Sequence, residues 1–284
     1  MKTFFLFIDG LGIGKLTESN PFTFCQDSLL YKIIYESDSV YRCFPSDARL
    51  GVEGLPQSGT GHVSILTGKN AAQILGKHHG PFPHTTQRDW LKTESISKWC
   101  DDHNFKWDVL NAYPPQYFTA LEQRKIRMSA FAFMQTMNGH GMHTATDLAN
   151  NLGFPSLLTF SRLEFFGVPI PNKSPNEAVK LLIDLFQNLN LGIIEYFALD
   201  HLGHDQKMDS VINRIYEISE FLSELKAYQN ELAIVICADH GNVEDCSSKS
   251  HTLNQVPIIV NQEINFLPSS ITDIKQIITQ FLVR

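Results

Sequence analysis

The stretch Leu232-Ala-Ile-Val-Ile-Cys237, running into Ala238-Asp239-His240-Gly241-Asn242, decides the fold. An apolar, β-branched run without polar alternation reads as a strand buried on both faces, the kind from which parallel sheets are built. It ends in a carboxylate beside an imidazole, followed by a glycine able to take a tight turn. In open α/β sheets ligands gather beyond the carboxyl ends of the strands. Asp oxygen and His nitrogen together suit zinc or manganese better than calcium. The same five residues would also serve as a plain turn, with Asp capping a helix and His facing water, so the rest of the chain must decide.

Working outward, the pattern repeats. Thr3-Phe-Phe-Leu-Phe-Ile8 reads as a buried first strand and runs directly into Asp9. Ile193-Ile-Glu-Tyr-Phe-Ala-Leu199 reads as another, ending in Asp200-His201-Leu202-Gly203-His204. His251-Thr-Leu-Asn-Gln-Val-Pro257 leads into the apolar Ile258-Ile-Val260. Between them lie helical stripes: Leu29, Leu30, Ile33 and Ile34; Ala178 to Phe186; Val211 to Leu225; and a terminal helix from about Ile271. A short strand is expected at Ala48–Val52 and another at Trp107–Leu110, while Ile126–Phe133 fits strand or helix equally. This alternation predicts an α/β fold, a mostly parallel sheet with helices on both faces. Residues 1–78 and 172–284 form the expected core, and 79–171 a small inserted cap segment, with Pro169–Pro175 the linker back.

Two loops draw attention. Gly10-Leu-Gly-Ile-Gly14 follows the first strand, but its spacing is not G-x-G-x-x-G, so a dinucleotide site is weakly indicated. Gly54-Leu-Pro-Gln-Ser-Gly-Thr-Gly-His62 turns into a helical pattern at Val63, Ile65 and Leu66. A hydroxyl at such a loop–helix junction sits where backbone N–H groups favour an anion, or else it is simply an N-cap. Ser58 and Thr60 both stand there. The histidines of Lys77–His84 lack carboxylates and regular spacing and read as a surface loop or pocket wall. Gly139–His143 reads chiefly as a local turn.

A net charge of −7 with no basic block argues against nucleic acid as a partner. Five scattered cysteines without a C-x-x-C pair suit a reducing, cytoplasmic setting. The apolar start, Met1–Ile8, is cut short by Asp9 without a small-residue cleavage site, so mature protein is expected. No run approaches the roughly 18 apolar residues needed to span a bilayer, so no membrane partner is expected either.

Asp9, Asp200, His204, Asp239, His240 and His251 at strand ends, with a hydroxyl at a helix start, would hold two divalent ions roughly 4 Å apart, a clamp for in-line phosphoryl transfer. A serine hydroxyl beside such an ion loses its proton readily and becomes a nucleophile.

With these residues in view, the sequence resembles the alkaline phosphatase superfamily, and within it cofactor-independent phosphoglycerate mutase and phosphopentomutase. The matching motifs are I-D-G-L-G-I-G (Ile8–Gly14), Q-S-G-T-G-H (Gln57–His62), D-H-L-G-H (Asp200–His204), A-D-H-G-N (Ala238–Asn242) and H-T-L-N-Q-V-P (His251–Pro257), in the family's order. The resemblance implies one ion on Asp200, His204 and His251, and a second on Asp9, Asp239, His240 and the nucleophile's hydroxyl. The family's nucleophile stands three residues before the Gly of the G-H pair. That position is Ser58, with Thr60 the runner-up. Two departures weigh toward hydrolysis over mutase chemistry: a cap whose residues match none of the mutases' substrate ligands, and Gly59 in place of their acidic residue. Arg88, Arg124, Arg127 and Arg162 are the available phosphate clamps.

The expected function is therefore hydrolysis of a small phosphate ester through a phosphoseryl intermediate on two Mn2+ or Zn2+ ions. The alternatives are a phosphomutase, a phosphodiesterase or phosphonate hydrolase, and a non-enzymatic metal-binding protein with a vestigial site. Substrate identity and oligomeric state stay open.

Overall fold

The structure is a computed structural model describing residues 1–161 and 163–284; Arg162, one of the candidate phosphate clamps, lies outside the described residues. Among the described residues eight strands are formed: β1 (Lys2–Ile8), β2 (Arg42–Ser46), β3 (Trp107–Val109), β4 (Ala112–Tyr113), β5 (His143–Thr144), β6 (Leu191–Tyr196), β7 (Leu232–Cys237) and β8 (Val256–Val260). Six of them make one sheet in the order β2-β8-β7-β1-β6-β3, and β4 pairs with β5 separately. β1, β3, β6 and β7 run parallel, whereas β8 runs antiparallel to both β7 and β2. The fold is thus an α/β sheet that is mostly parallel, as the alternation of strands and helices implies.

β1 lies at the centre, and its side chains show why the run carries no polar alternation. Phe4 meets Phe186 and Phe221 on one face, while Phe5 and Phe7 meet Phe131 on the other. Both faces are covered, so every residue from Thr3 to Ile8 is buried. The Met208–Leu225 helix packs with the Leu29–Tyr35 and Pro175–Leu185 helices on the Phe4 side. It buries Val211, Ile215, Ile218, Phe221, Leu222 and Leu225, the stripe read from the sequence. The Ser58–Thr67, Ala130–Met137 and Ile274–Leu282 helices cover the other side. Pro175 starts its helix behind a capping box in which Ser174 and Glu177 satisfy each other's backbone amides.

Several boundaries differ from expectation. The early edge strand is Arg42–Ser46, and Ala48–Val52 is a turn. Asp47 causes it: its carboxylate accepts from the amides of Arg49 and Leu50, at 3.2 and 2.8 Å, competing with sheet pairing. β6 stops at Tyr196, and Ala198–His204 is a helix, so Asp200 and His204 lie one helical turn apart instead of in a strand-end loop. Ile126–Phe133 resolves into a helix from Ala130 because Ser129 caps it, accepting from the Ala132 amide. Within residues 79–171, β3 pairs with β6 in the main sheet and Phe131 packs against Phe5 and Phe7 of β1.

Candidate metal centre

The sheet register builds the centre. Phe7 pairs with Cys237 across β1 and β7, so two residues further on Asp9 and Asp239 leave neighbouring strands side by side. β1 then turns at Gly10, whose φ of +75° is open to glycine, and a Cβ there would lie 2.9 Å from Asp200 Oδ1. That turn lets the Ala198–His204 helix approach.

One ligand set comprises Asp200, His204 and His251. His204 Nε2 lies 3.2 Å from Asp200 Oδ2 and 3.2 Å from His251 Nε2, and His251 Nε2 lies 3.8 Å from Asp200 Oδ1. The outer ring nitrogens are committed elsewhere: His204 Nδ1 donates to the Lys249 carbonyl at 2.6 Å, and His251 Nδ1 to that of Pro56 at 2.7 Å. Each Nε2 is left with a lone pair, and the two lone pairs face each other. Asn242 holds Asp200, its Nδ2 donating to Oδ1 at 2.7 Å.

The other set comprises Asp9, Asp239, His240 and Ser58. His240 Nε2 is 3.3 Å from Asp9 Oδ1, 3.2 Å from Asp239 Oδ2 and 3.0 Å from Ser58 Oγ. Ser58 is the first residue of the Ser58–Thr67 helix, with Gln57 as N-cap, so its hydroxyl sits at the positive end of the helix dipole. The His240 and His251 rings stack, centroids 3.6 Å apart, and join the two sets.

These spacings fit divalent ions. Four donors at about 2.0–2.2 Å around a tetrahedral ion stand about 3.3–3.6 Å from one another, and the distances above cluster near that range. The electrostatics fit as well. Asp9 Oδ1 and both carboxylate oxygens of Asp239 are buried without a hydrogen-bond partner. Burial first, and for Asp9 the neighbouring Asp239, push both carboxyls well above the usual range; for Asp239 the next cause is Asp200. Burial, followed by the neighbouring His251, holds His240 well below the ordinary imidazole value, and burial lowers His251 too. Neutral imidazoles beside crowded carboxylates are a ligand set wanting positive charge.

Of the two candidate hydroxyls, Ser58 faces the donors and Thr60 does not. Thr60 is fully buried, and its Oγ1 accepts from the His79 amide at 3.2 Å while lying 3.2 Å from the Gln57 carbonyl. It locks the Lys77–His84 loop onto the turn. Gly59 completes the lock, since a Cβ there would run into the carbonyl oxygens of His79 and Phe82. The Gly59 departure from the mutases thus has a packing cause: the histidine loop takes the space.

A pocket of about 350 Å³ opens over the first set, lined by Leu55, Gln57, Ser58, Gly80, Pro81, Lys249 and Ser250 beside Asp200, His204 and His251. Among the described residues, Lys249 is the one lysine or arginine lining it. Arg88 instead lies over the Phe133 ring at 5.5 Å, and Arg124 and Arg127 are exposed outside the pocket. His143 is tied to Asp108 Oδ2 at 2.8 Å, away from the centre. Lys249, Asn242 and Glu244 were not legible as site residues. Glu244, buried, accepts from the Asn242 amide at 2.9 Å and from the Thr252 hydroxyl and Asn254 amide, bracing the A-D-H-G-N turn. His62 closes the Gln57–His62 motif, and its Nε2 lies 3.2 Å from Asp239 Oδ2.

A family model described as Metalloenzyme superfamily matches residues 1–270. By sequence, no curated protein matches the chain. Among solved structures, a protein from Pyrococcus horikoshii is similar at TM-score 0.58 and 14% identity, over 99% of this chain and 97% of that one. The alkaline phosphatase of the Antarctic bacterium TAB5 is similar at TM-score 0.54 and 10% identity, over 99% and 97%. A Leishmania mexicana phosphoglycerate mutase is similar at TM-score 0.51 and 12% identity, over 99% and 95%. At these identities the likeness speaks for the fold.

Proposed function

The chain belongs to the metalloenzyme superfamily, and within it we propose that it hydrolyses a small phosphate monoester through a phosphoserine at Ser58. The observation that carries this reading is the pair of imidazole lone pairs, His204 Nε2 and His251 Nε2, held face to face at 3.2 Å by their backbone bonds. Without a cation between them that arrangement is repulsive. A second, carboxylate-rich set stands alongside with a serine hydroxyl 3.0 Å from its histidine.

Divalent ions in the two sets, Mn2+ or Zn2+ by ligand type, would neutralise the carboxylates, ease loss of the serine proton and draw charge from phosphoryl oxygens. The chain's own residues do the remainder. The start of the Ser58–Thr67 helix favours the phosphoryl group's negative charge. Ser58 Oγ forms the bond to phosphorus as the ester P–O bond breaks and the alcohol departs; water then cleaves the phosphoserine. Lys249, which lines the same pocket, is a cation available to the substrate there. The His204 side chain is 41% exposed, so water reaches this side freely, which favours hydrolysis over transfer to a second hydroxyl.

An aryl phosphate tests the proposal. Ser58→Ala, or chelation of the wild type, is expected to lower turnover by about a thousandfold or more, with Mn2+ or Zn2+ restoring the chelated wild type only. Thr60→Ala should cost far less. Full turnover in a metal-free sample would falsify the reading, and a silent Ser58→Ala with a lethal Thr60→Ala would move the nucleophile. A panel of diesters, phosphonates and phosphosugars separates hydrolysis of monoesters from the diesterase, phosphonate and mutase alternatives.

A further inference from the structure

The Ser58–Thr67 helix sends two side chains into the centre, Ser58 and, one turn later, His62. His62 is not among the residues the family resemblance assigns to either ion. Its ring is wedged between Phe7, centroid 4.7 Å away, and Phe131, at 5.5 Å, both edge-on. Its Nε2 is buried without a well-formed hydrogen bond, 3.2 Å from Asp239 Oδ2 and 3.7 Å from Asp9 Oδ2. Two phenyl rings close its flanks, and a buried N–H seeks an acceptor. Once an ion ionises the pair, the carboxylates can only accept, so in the loaded centre the nitrogen pointing at them is the one that carries a proton.

The two carboxylates are therefore held from opposite sides. Asp9 turns Oδ1 toward His240 and Oδ2 toward His62, while Asp239 Oδ2 lies 3.2 Å from each imidazole. Buried Glu195 accepts from Ser129 Oγ at 3.0 Å, and burial raises its carboxyl. We propose that His62 is a positioning residue: its Nε2–H straddles Asp9 and Asp239 and fixes their remaining lone pairs on the point shared with His240 and Ser58. Because Ser58 and His62 ride on one helix, the nucleophile and the aim of the second ligand set move as one rigid piece. This rests on the two-ion reading above but not on the reaction proposed there.

The test is ion binding, read without turnover, by titrating chelated protein with Co2+ and following heat and the visible spectrum. Wild type is expected to take up two ions. His62→Phe, whose ring suits the Phe7–Phe131 slot, should keep the fold by circular dichroism and bind the first ion normally. Its second ion should bind about 10–100-fold more weakly. His62→Gln, which returns an N–H near the same place, should recover most of that loss. An ion at the Asp9–Asp239 set bound by His62→Phe as tightly as by wild type overturns the proposal, as does a Gln variant no better than Phe. Three ions per wild-type chain overturn it too, since His62 would then be a ligand. Fewer than two ions in wild type would overturn the two-ion reading and this inference together.

Discussion

The two ligand sets share Asp and His chemistry but are built from different material. The Asp9, Asp239 and His240 set stands on the ends of two central strands, with the side chains of Asp239 and His240 wholly inaccessible. The Asp200, His204 and His251 set stands on a short helix and a loop, with His204 41% exposed. The buried set carries crowded charge and orphaned oxygens. The open set carries pre-aimed lone pairs and the pocket. On the proposed reading the buried set would hold its ion against Ser58, and the open set would meet substrate and water.

The largest break in this contrast is Asp239→Asn. Turnover should fall about a thousandfold or more, because the buried set loses a charged ligand. Yet the ion-free protein should become more stable. Asp239's folded-state value is raised, so the folded chain retains a proton that the unfolded chain releases. That contribution is full below the ordinary carboxylate value of 3.8 and drains away as pH rises through the raised value. His240 acts oppositely, its depressed value costing stability as pH falls below 6.5. In chelator, the Asn variant should therefore out-melt wild type by more at pH 8 than at pH 5, at about 2–4 °C per kcal/mol for a chain of this size. A lower melting temperature for the variant at pH 8 would mean the buried carboxylates bear no such load.

His204→Ala strikes the open set. It should remove one ion of two and lower turnover by about 100-fold, leaving the other ion bound, as elemental analysis can count. Loss of both ions would erase the distinction between the sets. Gly59→Ala leaves every ligand in place but pushes the histidine loop off the nucleophile's turn. A displacement near 1 Å is enough for about a 100-fold loss of turnover, with ion content unchanged. Asn242→Ala frees Asp200, and about a tenfold weaker first ion is expected by calorimetry. At the small end, Asp108→Asn breaks the His143 pair outside the centre and should cost about 1 kcal/mol or less in a urea melt, with turnover intact.

What the sequence disclosed tracks the same divide. Asp9 and Asp239-His240 were legible because fully buried strands are unbroken apolar runs, and the residue that ends the run marks the strand end. Asp200 and His204 were found through their motif, but the chain from Phe197 onward is apolar enough to pass for strand, and its helix is set by packing after β6 stops at Tyr196. Ser58 and Thr60 were inseparable by local pattern; the difference lies in the His79 amide, nineteen positions away from Thr60. His62 and Lys249 gave no signal, one being a histidine inside an apolar helix and the other a lysine in a serine-rich loop. The segment 79–171 is the least legible because its strands are two or three residues long, too short for periodicity to appear.

The stacked His240 and His251 rings carry a consequence for loading order. Each ring belongs to a different ligand set, and at 3.6 Å between centroids neither can swing without displacing the other. On the two-ion reading, uptake at the two sets would be a linked equilibrium. Whatever factor the first ion contributes to the second by stilling the stack, the second returns to the first, whichever arrives earlier. Starvation for metal would accordingly loosen each site's hold as the other empties.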